Sequence, residues 1–198
     1  MKKPLWIWIV SLALAAFWGL TRPALAQTPT AYVRGILDQV MGLQNNPALS
    51  TQARSQAIHT IIERNFDFGL MAKESLGPAY ERLGGGQRQE FTRTFSYLFQ
   101  DSYTRLVLNF LKKENIQYGR ELPEGDKARV DTAIVRTNEN IPVTYLMHTA
   151  PQGWILYDVI VDGVSILQNY KTQFGQVIRT QGFEVLLSKM QAQRRAIQ

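Results

Sequence analysis

The chain contains no cysteine and only two histidines, His59 and His148, among 198 residues. Without cysteine there is no disulfide framework, no zinc–thiolate centre and no thiol nucleophile. Histidine is the commonest metal ligand and general base. Two histidines so far apart argue against a histidine-built metal site or a catalytic triad. Long hydrophobic runs are equally scarce, with a single one near the start, Leu5 to Leu20. It follows Lys2 and Lys3 and leads to Ala24-Leu25-Ala26. A basic start, an apolar middle and a small-x-small end make a secretory signal peptide. The run is short for a membrane span, which takes about 20 apolar residues. Cleavage is expected after Ala26, leaving an exported domain over 27–198.

Strong charge of either sign is also lacking. Removing Lys2, Lys3 and Arg22 takes the formal net charge from +6 to +3. A nucleic-acid-binding domain concentrates a larger basic excess on one face, whereas the lysines and arginines here are scattered. No nucleic-acid partner is expected. The 172 residues that remain suit one domain.

Two regimes succeed each other along the mature chain. The first reads as helices. Tyr32, Ile36, Leu37, Val40, Met41 and Leu43 recur at helical spacing until Asn45-Asn46-Pro47, where proline disfavours helical geometry in the residue before it. Ser50 is an N-cap for a second helix with the stripe Ile58, Ile61 and Ile62. A short helix over Phe68–Leu76 stops at Gly77-Pro78. Gly84-Gly85-Gly86 opens a long helix over Gln87–Lys112, about 37 Å at 1.5 Å per residue. Its face carries Phe91, Phe95, Phe99, Tyr103, Leu106 and Phe110. Such a stripe belongs in an ordinary core, and periodicity alone favours core over a ligand cavity.

The second regime is a meander of four strands, 116–122, 128–137, 141–148 and 154–161, joined by short turns. Ser165, with Gln168 three residues on, caps a further helix that ends at Gly182, and a last helix runs from Phe183 to Gln193. The fold expected is α+β: a curved antiparallel sheet of about four strands wrapped by N- and C-terminal helices.

Catalytic motifs are not assembled. Ser165 has no Gly-x-Ser-x-Gly around it. Gly84-Gly85-Gly86 is not followed by the Gly-Lys-Ser/Thr ending of a phosphate loop. Asp158 and Asp162 could form a carboxylate pair, but Asp162 reads as part of an Asp-Gly turn and Asp158 as the partner of a backbone amide or a base. No metal or cofactor and no enzyme activity are expected.

The order of motifs carries a resemblance. Phe66-Asp67-Phe68-Gly69-Leu70-Met71-Ala72 precedes Leu76-Gly77, and Phe91, Phe95 and Tyr103 follow. After the strands come Gly153-Trp154-Ile155-Leu156-Tyr157-Asp158-Val159, Asp162-Gly163-Val164-Ser165-Ile166 and Asn169-Tyr170-Lys171-Thr172-Gln173-Phe174. This resembles the MlaC family over essentially the whole mature chain. It departs where many members have tryptophan after Leu-Gly and this chain has Pro78-Ala79-Tyr80.

The resemblance implies a monomeric periplasmic phospholipid shuttle. Its partners would be an outer-membrane lipoprotein complex and an inner-membrane ABC transporter with a substrate-binding domain. It also implies an apolar pocket between sheet and helices. The residues expected on that wall are Phe95, Phe99, Tyr103 and Leu106 on the long helix, Val143, Tyr145 and Met147 on the third strand, and Tyr157 and Val159 on the fourth. Phe68 and Met71 are expected at the mouth. The competing readings are a carrier of another lipid such as a hopanoid, a secreted enzyme acting on an apolar substrate, and an interaction module with a filled core.

Overall fold

The computed structural model describes residues 27–111 and 114–197. The leader over 1–26 and Lys112, the expected end of the long helix, lie outside the described residues.

Local chemistry sets the helix boundaries. Thr28 Oγ1 accepts from the Ala31 N–H at 3.1 Å, and Pro29 takes the first position of α1 (Pro29–Gln44). The Ser50 hydroxyl does the same for Ala53 at the start of α2 (Thr51–Asn65). Asp67 Oδ1 accepts from Leu70 N–H at 2.9 Å and opens α3 (Phe68–Leu76). Each cap satisfies a donor that the first helical turn leaves unpaired.

Gly77 ends α3 at φ +55°, a conformation costly for residues with a Cβ. Pro78 then starts a single turn, α4 (Pro78–Glu81). The long helix, α5 (Gly85–Phe110), packs against α7 (Phe183–Ile197), α2 and α3. Between them α6 (Ile166–Gln181) begins at the Ser165 cap and stops at Gly182.

The sheet is an antiparallel meander in sequence order: β1 (Asn115–Glu124), β2 (Lys127–Val135), β3 (Asn140–Ala150), β4 (Gly153–Val161) and β5 (Val164–Ser165). The two-residue β5, unforeseen in the sequence, returns from β4 through Asp162-Gly163, whose φ angles are +49° and +77°. Two left-handed residues match the twist of a tight hairpin. β2 stops at Val135, two residues before its expected end, because the Arg136 N–H turns to bond the Glu139 carbonyl at 2.9 Å.

Two irregularities curve the sheet. One lies between Tyr118 and Glu121 of β1, the other between Leu156 and Asp158 of β4. Bulges of this kind raise local twist and bend the strand. At the first, a Cβ on Gly119 would stand 3.2 Å from the Asp131 carbonyl oxygen.

The face of β2 and β3 away from the core is tied by charge. Asp131 Oδ1 accepts from the Thr144 hydroxyl at 2.8 Å and Arg129 Nε at 2.7 Å, and Arg120 Nε stands 3.6 Å from Oδ2. Burial alone would raise the Asp131 carboxyl, but these donors hold it below the usual carboxylate range. A depressed pKa contributes stability above the unfolded value of about 4, lost as pH falls through the lower folded value. Asp131→Asn should therefore cost up to about 1 kcal/mol at neutral pH. Urea titrations should show the gap between variant and wild type closing in acid. A gap of the same size at both pH values would refute this role.

Candidate functional site

The aromatic stripe of α5 divides into two parts with different surroundings. Phe91 stacks on Phe95 and Phe95 meets Phe99 at a tilt, with centroids 6.2 and 6.1 Å apart, and all three are buried. They meet Phe174 and Tyr170 of α6, Phe66 and Phe68 in edge and tilted contacts. This half is solid core. From Tyr103 onward the packing opens. Tyr103, Leu106, Val107 and Phe110, with Leu111 beyond the helix, line a cavity of about 290 Å³.

The opposite wall is the concave sheet face. It supplies Ile134 from β2, Ile141, Val143 and Tyr145 from β3, and Leu156 and Val161 from β4. Cross-strand register explains the set: Ile134 faces Ile141, Val143 faces Val161, and Met147 faces Leu156. The third wall is α1 and α2, through Ile36, Leu37 and Val40, then Ile61, Ile62 and Asn65, and Phe66 beyond. Asn65 Oδ1 accepts from the Tyr32 hydroxyl at 3.0 Å, and its amide donates to the Ile61 carbonyl at 2.7 Å. Desolvation raises the Tyr32 hydroxyl to about 12.

Among the described residues the interior wall is uncharged. Burial pushes the Tyr103 and Tyr145 hydroxyls well above their ordinary range, so both stay protonated at neutral pH. Among the described residues, carboxylates line the cavity only at Glu139 and Asp162, both exposed, where the half-exposed ring of Phe110 also stands. These three residues mark the mouth.

Of the residues expected on the wall, the structure brings together Tyr103, Leu106, Val143 and Tyr145. Phe95 and Phe99 belong to the solid half of the stripe. Met147 and Val159 are buried on the same sheet face but outside the lining. Met71 is fully buried, and Phe68 stacks on Phe66 at 6.2 Å, so neither stands at this mouth.

Tyr157 and Val159 do not share a face, contrary to the sequence reading. Leu146 pairs Asp158 while Met147 pairs Leu156, so Tyr157 is the extra residue of the bulge. Its ring lies beside His148, 6.1 Å away, and under the Lys127 ammonium. Leu156 takes the inward place that strict alternation assigned to Tyr157. Alternation from Val143 could have found Ile141. The contribution of α1 and α2 had no distinguishing signal, because a cavity-lining stripe and a core stripe have the same period.

Asp158, the leading carboxylate of the enzyme reading, is buried at the start of α6. It accepts from the Val159 N–H at 2.8 Å, the Leu167 N–H at 3.0 Å and the Ser165 hydroxyl. Burial pushes its carboxyl up against the pull of those donors. The Ser165 hydroxyl in turn caps Gln168 N–H at 2.9 Å. Both polar groups are engaged in starting a helix, and neither lines the cavity.

A sheet-and-helix domain with an apolar cavity, charged at its mouth and not along its described interior, defines a binding protein for an apolar ligand. The MlaC protein family profile matches residues 34–192, and the chain belongs to that family. It is 25% identical over 202 residues to the intermembrane phospholipid transport system binding protein MlaC of Haemophilus influenzae, covering 96% of this chain and 92% of the relative. It is 23% identical over 186 residues to the toluene tolerance protein ttg2D of Pseudomonas putida, covering 85% and 80%. The fold matches that of a phospholipid-binding protein from Ralstonia solanacearum, solved with a phospholipid, at a TM-score of 0.74 and 22% identity. That match covers 87% of this chain and 98% of the other.

Proposed function

We propose that this protein is a periplasmic phospholipid carrier, exported by a leader cleaved after Ala26. It shuttles lipid between an outer-membrane lipoprotein complex and an inner-membrane ABC transporter with its substrate-binding domain. The observation that carries the reading is the apolar cavity between the sheet and α1, α2 and α5, in a chain of the MlaC family. A buried methylene is worth about 0.8 kcal/mol, so a lipid with roughly thirty of them resists crossing water by on the order of 20 kcal/mol. An uncharged wall offsets that cost without catalysis.

The cavity volume, about 290 Å³, lies at the lower end of the about 300–1,000 Å³ typical of ligand sites. Two acyl chains therefore require the walls to part. The walls that part are the helical ones, because the sheet is hydrogen-bonded throughout. The mature protein purified from the periplasm should carry phospholipid near one-to-one in native mass spectrometry, with the species read after extraction. An empty protein that stays empty after incubation with phospholipid vesicles would overturn the carrier reading. A hopanoid in place of phospholipid would correct the cargo.

A further inference from the structure

At the mouth of the cavity one side chain holds three separate segments together. Arg136, in the turn between β2 and β3, places Nη1 2.9 Å from the Glu139 carboxylate and donates from Nη2 to the Phe110 carbonyl at 2.8 Å. Its Nε stands 3.5 Å from Glu114, and its guanidinium carbon lies 5.8 Å from the Phe110 ring centre. Two of these partners, Phe110 and Glu139, are themselves lining residues at the exposed end. The guanidinium is thus fixed where the apolar wall gives way to water.

We propose that Arg136 is the binding residue for the phosphodiester of the cargo, exchanging Glu139 for the lipid phosphate when acyl chains fill the cavity. This rests on the carrier reading above. An acyl chain lying against Tyr103, Val143 and Ile141 must bring its polar end out between Phe110 and Glu139, within reach of Arg136. The guanidinium fork matches two phosphate oxygens as well as it matches a carboxylate. Glu139 is 56% exposed, so its pair with Arg136 is weakly held and its carboxylate returns to water at small cost. The exchange replaces one negative charge by another and leaves the bond to the Phe110 carbonyl in place. Headgroup chemistry beyond the phosphate then faces solvent, which makes the site selective for a phosphodiester and tolerant of what it carries.

The test is uptake from vesicles doped with phosphatidylethanolamine or with diacylglycerol of the same chains, by wild type, Arg136→Gln and Arg136→Lys. Wild type should prefer the phospholipid about tenfold, equivalent to about 1.4 kcal/mol. Arg136→Gln should take up diacylglycerol like wild type but lose the preference, and Arg136→Lys should keep part of it. An Arg136→Gln protein that loses both lipids equally, or that keeps the full preference, overturns the proposal. Inorganic phosphate is the third arm. Saturable phosphate binding to wild type but not Arg136→Gln, with lipid preference unchanged, would assign Arg136 to a free anion and also overturn it. Failure of wild type to take up either lipid would instead refute the carrier reading.

Discussion

Protein carrying Val143→Glu is expected to fold and to come out of the periplasm without lipid. Val143 sits on the central strand, 3% exposed, between Thr132 and Val161 in register, and faces the cavity. In the empty protein a glutamate there can point into the open volume and draw water from the mouth. The stability loss is then held to about 2–3 kcal/mol rather than the larger cost of a sealed, unpaired carboxylate. With lipid present the water must leave and the carboxylate meets methylenes. That conflict is worth at least about 3 kcal/mol, or more than a hundredfold in affinity. Val143→Leu, which keeps the wall apolar, should retain lipid. Circular dichroism and thermal melting report the fold, and native mass spectrometry the cargo. Normal stoichiometry in folded Val143→Glu would remove this wall from the binding site.

Asp158→Ala has the opposite signature: a large loss of stability with the cavity left intact. Asp158 is 5% exposed and satisfies the Val159 and Leu167 N–H groups together with the Ser165 hydroxyl. Hydrogen bonds to a charged acceptor contribute about 1.5–3 kcal/mol each, and buried donors left unpaired cost further. Alanine should therefore destabilise by about 3 kcal/mol, read as a shifted urea midpoint. Asparagine, which still accepts on one oxygen, should cost less. Lipid carried by the folded fraction should stay within about twofold of wild type, a difference of about 0.4 kcal/mol, since Asp158 is not itself one of the lining residues. Loss of lipid at unchanged stability would place Asp158 in the site and revive the enzyme reading.

The different reach of these two predictions shows what was legible before folding. Asp158 and Ser165 lie seven residues apart, and the helix they start is announced locally by a serine cap and an Asp-Gly turn. Thr28, Ser50 and Asp67 act over the same short range, each accepting from the backbone N–H three residues on. Helix starts, hairpin turns and the order of the sheet follow from such short-range chemistry. They therefore read directly from residue type and spacing. The stretch that carries much of the family resemblance, Trp154–Phe174, contains this same turn and cap.

The sequence by itself thus determined the longer helices, the four long strands, their antiparallel order and the family, but neither the single turn α4 nor the two-residue β5. Tertiary structure alone decided where the core stops and the cavity begins. Phe95 and Tyr103 stand on one stripe with one period, yet one is enclosed by α6 and the other opens toward α1, α2 and β3. Nothing local distinguishes them, because the difference is the distance to the next layer. The inward residue of β4 was decided the same way. Alternation assigns Tyr157 to the wall, but a single inserted residue in the pairing with β3 hands that place to Leu156. Side-chain direction in a strand has a period of two, so a one-residue bulge inverts it. Whether a bulge forms depends on the partner strand and on the bridge from Leu156 to Phe66, 90 residues earlier in the chain.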